Sequence, residues 1–125
     1  MSSYEIEIIK ILQEAGVYFE REKSFKDLRG NRYRYDFYLP YVVGGPVIIE
    51  VDGQLHWSAA YGVDKLKTQK ERDRRKNSYA LANGIELYRI PYWDIDNNSI
   101  KNLENILSNK YKVTSKWHND YLEPK

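Results

Sequence analysis

The run Val47 to Val51, VIIEV, restricts the fold more than any other stretch of the chain. β-Branched side chains at nearly every position favour a strand, and the apolar succession Val47, Ile48 and Ile49 means burial on both faces, so this strand belongs at the middle of a sheet. Gly44, Gly45 and Pro46 precede it as turn residues. Helix-favouring residues then fill Lys65 to Asn83 and stop at Gly84, after which IELYRIPYW gives a short strand broken by Pro91. A strand, a crossover helix and another strand imply a right-handed connection between parallel neighbours, with helices covering the sheet.

The elements on the N-terminal side complete that sheet. Glu5 to Ala15 carries Ile8, Ile9, Ile11 and Leu12 ahead of Gly16, the pattern of an amphipathic helix closed by a glycine. Val17 to Phe25 and RYRYDFYLP alternate loosely on either side of the turn-forming KDLRGN, which predicts a hairpin. A final helix fits Ser99 to Leu107. The expected order is αβββαβα, an α/β (α+β) fold with a mixed four-stranded sheet flanked by helices. Residues 1–110 form one domain in this reading, and 111–125 is a tail to which the pattern assigns no structure.

A chain of 125 residues holds one domain with a real core, and 42% hydrophobic with 30% charged residues is the balance of a folded protein rather than a disordered one. No apolar stretch approaches the roughly 20 residues of a membrane span, and MSSYEIEIIK lacks the layout of a signal peptide, so an intracellular, cytoplasmic protein is expected. Without cysteine there are neither disulfides nor thiolate zinc sites, and any metal must be held by oxygen or imidazole, which favours hard divalent ions. The net charge of +2 says little, but its distribution says more. KLKTQKERDRRK is dominated by Lys and Arg, KDLRGNRYR adds further cations, and the chain has 12 tyrosines. Cations neutralise phosphates and aromatic faces accept bases, a mixture suited to nucleic acid.

Two acids stand where acids are costly. Asp36 lies among aromatic strand residues in YRYDFYLP, and Glu50 interrupts the apolar strand VIIEV. If their strands are neighbours, the two carboxylates converge, and a divalent cation relieves the repulsion while creating a Lewis acid, with the Val51 carbonyl as a third oxygen ligand. Downstream, Asp52, Gln54 and His56 continue on alternate residues of VIIEVDGQLHW.

YRYDFYLP, VIIEVDGQLHW and KERDRRKNSYALANGIELYRIPYWDI together resemble the PD-(D/E)XK nuclease superfamily, in particular its small phage-type and Vsr-like endonucleases and the related catalytic domains of homing endonucleases. The resemblance spans residues 5–96. It implies a restriction-endonuclease-like core and hydrolysis of DNA phosphodiesters with Mg²⁺, for which Mn²⁺ substitutes. It assigns Asp36 and Glu50 to the two acidic metal ligands. The position two beyond the second acid, a lysine in most such proteins, is Asp52 here. The tetrad of the Vsr-like branch would fall on Glu5, Asp36, His56 and Asp73, with His56 as general base or donor to the transition state. Lys76, one turn after Asp73, would supply the missing cation, and Gln54 would position water or phosphate. Arg29, Arg32 and Arg34 near the hairpin and Arg72, Arg74 and Arg75 on the second helix are the expected contacts to the DNA backbone. Specificity would come from loops, from DNA structure, or from a partner, whether a second copy in a homodimer or a fused or separate protein. A catalytically silent DNA-binding module and a dimeric Holliday-junction resolvase are the alternatives on the same fold.

Overall fold

The computed structural model describes residues 2–31, 33–53, 59–95 and 106–122. Helix α1 spans Ser3–Glu14, strand β1 Glu20–Ser24, β2 Arg34–Leu39, β3 Val47–Asp52, helix α2 Val63–Ala82, β4 Glu86–Pro91, the single turn α3 Tyr92–Ile95 and helix α4 Ser115–Leu122. Short 3₁₀ turns stand at Arg29–Asn31 and Ala59–Tyr61.

The start of α1 follows from Ser2, whose hydroxyl accepts the Glu5 N–H at 3.2 Å, satisfying one of the amides that a helix N-terminus leaves bare. Gly16, at φ +69°, adopts the left-handed conformation that ends the helix, and Gly84 at φ +66° ends α2 in the same way.

The four strands form one mixed sheet in the order β1-β2-β3-β4. β1 pairs antiparallel with β2 and β2 antiparallel with β3, while β3 and β4 run parallel with Glu50 level with Arg89 and Asp52 level with Pro91. Helix α2 is the crossover between those parallel strands. The mixed α/β architecture with a four-stranded mixed sheet and flanking helices is the coarse fold expected from the sequence. The helix expected over Ser99 to Leu107 lies almost wholly outside the described residues.

Alternation along β3 divides the core in two. Val47 and Ile49 pack with Ile8, Ile11 and Leu12 of α1, with Phe37 and Leu39 of β2 and with Ile90 of β4. Ile48 points the other way, joining Leu87 of β4, Ala80 of α2 and Tyr35, with Trp117 of α4 against that cluster. Helix α1 therefore covers one face, and α2 with α4 covers the other. Each buried Ile or Leu contributes on the order of 1.5–3 kcal/mol to holding these layers together.

The chain beyond Lys110, unassigned by sequence pattern, is tied into this structure. Arg89 N–H donates to the Tyr111 carbonyl at 3.1 Å and Val113 N–H to the Leu87 carbonyl at 2.6 Å, so residues 111–113 shield the outer edge of β4. An edge capped in this way has fewer free donors and acceptors for another chain. Among the described residues, no helix is long and apolar enough to cross a membrane.

Candidate active site

On the α2-facing side of the sheet, character changes along the strands. Ile48 and Leu87 are apolar, but the next residues on that side are Glu50 and Asp52 of β3 and Arg89 of β4, all buried. The ionic end is the C-terminal end of the two parallel strands, the location where open α/β sheets place ligands.

Asp36 and Glu50 meet where the β2-β3 ladder runs out. Paired residues end at Phe37 and Ile49, and side chains take over from backbone carbonyls. The Asp36 N–H donates to Glu50 Oε1 at 2.6 Å, and the Val51 N–H donates to Asp36 Oδ2 at 2.8 Å. Each carboxylate thus satisfies an amide of the other strand, which holds both acids at a fixed place without a covalent link. The alternation of β2 shifts at the same point: Phe37 and Leu39 belong to the α1 cluster, whereas Tyr35 belongs to the α2 cluster.

Helix α2 supplies the counter-charge. Lys76 Nζ donates to Glu50 Oε2 at 2.8 Å, with Lys76 lying over the Tyr35 ring at 5.2 Å. The Tyr35 hydroxyl donates to the Lys76 carbonyl at 2.8 Å, anchoring that turn of the helix to β2. Burial, and after it the charge of Glu50, raises the Tyr35 phenol above its ordinary range, so it remains a donor. Burial is also the main reason that the Asp36 carboxyl is pushed up to about 8, followed by the charge of Glu50; the Val51 N–H and Lys76 act in the opposite direction. Two acids held this close favour one proton or one added cation between them.

A second group of acids adjoins Asp36 on the α1 side. Carboxylate oxygens of Glu5, Glu22 and Asp36 lie within 4.8 Å of one another, a set that can hold a metal ion. Glu5 extends from the first turn of α1 and accepts Arg21 Nη2 at 2.8 Å. Glu22 stands in β1 at φ +53°, a left-handed conformation that is rare for a residue with a long side chain. Hard oxygen donors of this kind suit Mg²⁺, Mn²⁺ or Ca²⁺.

A third set is closed. Arg89 Nη1 contacts Asp52 Oδ1 at 2.8 Å and approaches Asp73 Oδ1 at 3.6 Å, and it stands 3.8 Å from Glu50 Oε2. Its Nε donates to Asn77 Oδ1 at 2.6 Å, while Gln69 Nε2 donates to Asp73 Oδ1 at 2.9 Å. Arg89, Asp52 and Asp73 are each 0% exposed. A fully buried guanidinium between carboxylates is held by geometry, because its desolvation is offset only while its partners remain.

Among the expected site residues, Glu5, Asp36, Glu50 and Lys76 come together at one place. The expected ligands Asp36, Glu50 and Val51 share only Asp36 with the acidic triplet: Glu50 is held by an amide and Lys76, and Val51 turns its N–H to Asp36. Asp52 and Asp73 are joined through Arg89. Gln54, His56 and Arg32 lie outside the described residues. The cations expected on α2 divide: Arg74 and Arg75 both pair with Glu71 at 3.0 Å, and Arg72 lies over the Tyr33 ring at 5.8 Å. Arg29 and Arg34 are exposed.

Sequence reasoning passed over Arg89 and Glu22. The signal for Arg89 was a lone cation between the apolar pairs Leu87-Tyr88 and Ile90-Pro91 of ELYRIP; nothing local marks Glu22. Compared with models of known protein families, with characterised proteins and with solved structures, the chain shows no significant match.

Proposed function

We propose that this chain is a metal-dependent DNA endonuclease or nickase with a restriction-endonuclease-like core, hydrolysing phosphodiester bonds inside the cell. The observation that carries the reading is the meeting of Asp36 and Glu50 across two diverging strands with Lys76 on Glu50. A lysine beside the second acid is the expected feature of PD-(D/E)XK nucleases; here Asp52 occupies its usual position, and the ammonium arrives from α2.

The acid triplet fits a hard divalent ion, with Glu5, Glu22 and Asp36 as its holders. Such an ion, when bound, supplies Lewis acidity toward a phosphate oxygen and lowers the pKa of a bound water. The protein's own groups have separate tasks. Glu50 fixes Lys76 by a buried ion pair, and the ammonium so placed favours negative charge developing on a phosphate. Asp36, whose carboxyl is pushed up to about 8 by burial and by the charge of Glu50, is the acid that gains most from an added cation, which would hold it ionised near neutrality.

The silent-module alternative is favoured by one observation: Glu50 already has an amide and an ammonium as partners, which a purely structural acid also needs. Supercoiled plasmid incubated with Mg²⁺ or Mn²⁺ separates the two. Conversion to open circles or linear DNA, abolished by EDTA and reduced about a hundredfold or more in Asp36→Asn and Glu50→Gln, is the expected result. Binding of DNA with no cleavage under either metal would overturn the nuclease reading in favour of the silent module.

A further inference from the structure

The first half of α2 carries a cleft of about 300 Å³ lined by Asp64, Lys65, Thr68, Gln69 and Arg72. Apart from Asp64 these residues recur at the i, i+3, i+4 and i+7 spacing of one helix face, and the same face continues to Lys76 at the candidate active site. Gln69 connects the two places directly, since its Nε2 donates to Asp73, which in turn stands 3.6 Å from Arg89.

We infer that this cleft seats the phosphodiester backbone of the DNA strand that enters the active site, with Lys65 and Arg72 as its phosphate-binding residues. The inference rests on the nuclease reading for the identity of the strand, but its charge argument is independent. Arg74 and Arg75 share Glu71, and Lys76 is committed to Glu50. Lys65 and Arg72, in contrast, make no ion pair among the described residues, and both are exposed. Arg72 is steadied by the Tyr33 ring, which keeps its planar fork extended without neutralising it. Seven residues of helix separate the two cations by about 10 Å along the axis of α2, matching the axial rise of about three base pairs of B-DNA. Thr68 offers a hydroxyl between them, at present donated to the Asp64 carbonyl at 3.0 Å. Asp64, the acid among the lining residues, stands in the first turn of α2 next to Lys65 and two turns from Arg72.

Fluorescence anisotropy of a labelled DNA duplex in Ca²⁺ tests this. The Lys65→Ala/Arg72→Ala variant is expected to bind at least tenfold more weakly, and its plot of log affinity against log salt to be shallower by about 2. Lys10→Ala/Lys116→Ala, which removes as much charge from exposed positions on α1 and α4, should change affinity less than threefold. Equal losses in the two variants, or a loss confined to the second, would overturn the inference. Plasmid nicking by the wild type separates it from the reading beneath it. Nicking by a protein whose cleft variant binds normally sinks the cleft and leaves the nuclease; selective loss of binding in a protein that never nicks leaves the cleft and sinks the nuclease. A wild type that binds no DNA removes both.

Discussion

Two sets of carboxylates flank Glu50, and they are built on opposite principles. Asp52 and Asp73 are sealed from solvent around Arg89, whose guanidinium touches one and approaches the other while its Nε is fixed by Asn77. Glu5, Glu22 and Asp36 are partly or fully reachable by solvent, and among the described residues the one cation paired with them is Arg21 on Glu5. An acid that already has its counter-charge in a dry interior can hold elements together but has little left to offer a substrate. Acids gathered with too few cations keep a standing demand for positive charge. The contrast fits the first set to architecture and, on the proposed function, the second to chemistry.

The largest effect should come from breaking the closed set. Arg89→Met leaves Asp52 and Asp73 buried without their guanidinium, and the expected loss is about 3–5 kcal/mol of folding stability, read as a lower urea midpoint. Adding Asp52→Asn and Asp73→Asn to that variant should restore part of the loss, because the stranded charges are then gone. If Arg89→Met unfolds at the wild-type midpoint, the closed set is not holding α2 to the sheet.

The open set should reveal itself in pH dependence. Asp36 has its folded-state carboxyl pushed up to about 8, well above the range of about 4 that an aspartate has in an unfolded chain. Between those values the native state holds a proton that the unfolded chain has released, so the contribution of Asp36 to stability is full below about pH 4 and is lost as pH rises toward 8. The slope is at most about 1.4 kcal/mol per pH unit, and Asp36→Asn should flatten it. A bound cation prefers the ionised carboxylate, so saturating Mg²⁺ should flatten the wild-type slope as well and raise Tm more at pH 8.5 than at pH 6.5. Thermal melts across that range, with and without Mg²⁺, check both statements. A wild-type curve parallel to that of Asp36→Asn would remove Asp36 from the set.

How legible these sets were in the sequence follows from what each depends on. β3, β4 and α2 could be read from local periodicity, and Asp36 and Glu50 drew notice as acids in apolar strands, a mismatch visible without any structure. Lys76 could be placed one helical turn beyond Asp73. Arg89 could not, because its role arises from the parallel register that sets it level with Glu50, and register joins residues nearly forty positions apart. The segment 111–113 and α4 are short and of mixed charge, and their order comes from β4 and α2 rather than from their own propensities. Glu22 depended on a backbone angle, which no side-chain pattern near it encodes.

That angle yields the smallest effect and the sharpest separation of the two principles. A glutamate at φ +53° carries on the order of 1–2 kcal/mol of strain that a glycine would not. Glycine gives back about 0.5–1 kcal/mol through the greater freedom of its unfolded chain. Glu22→Gly is therefore expected to be more stable than the wild type by about 0.5–1 kcal/mol in urea denaturation, helped by the removal of one of three crowded acids. On the proposed function, plasmid nicking by the same variant should fall, since one of the three carboxylates proposed to hold the divalent ion has gone. A protein that becomes more stable and less active through one substitution is keeping strain at that position for its chemistry. If Glu22→Gly is more stable and nicks at the wild-type rate, the open set contracts to Glu5 and Asp36, and the left-handed residue in β1 is only a feature of the strand.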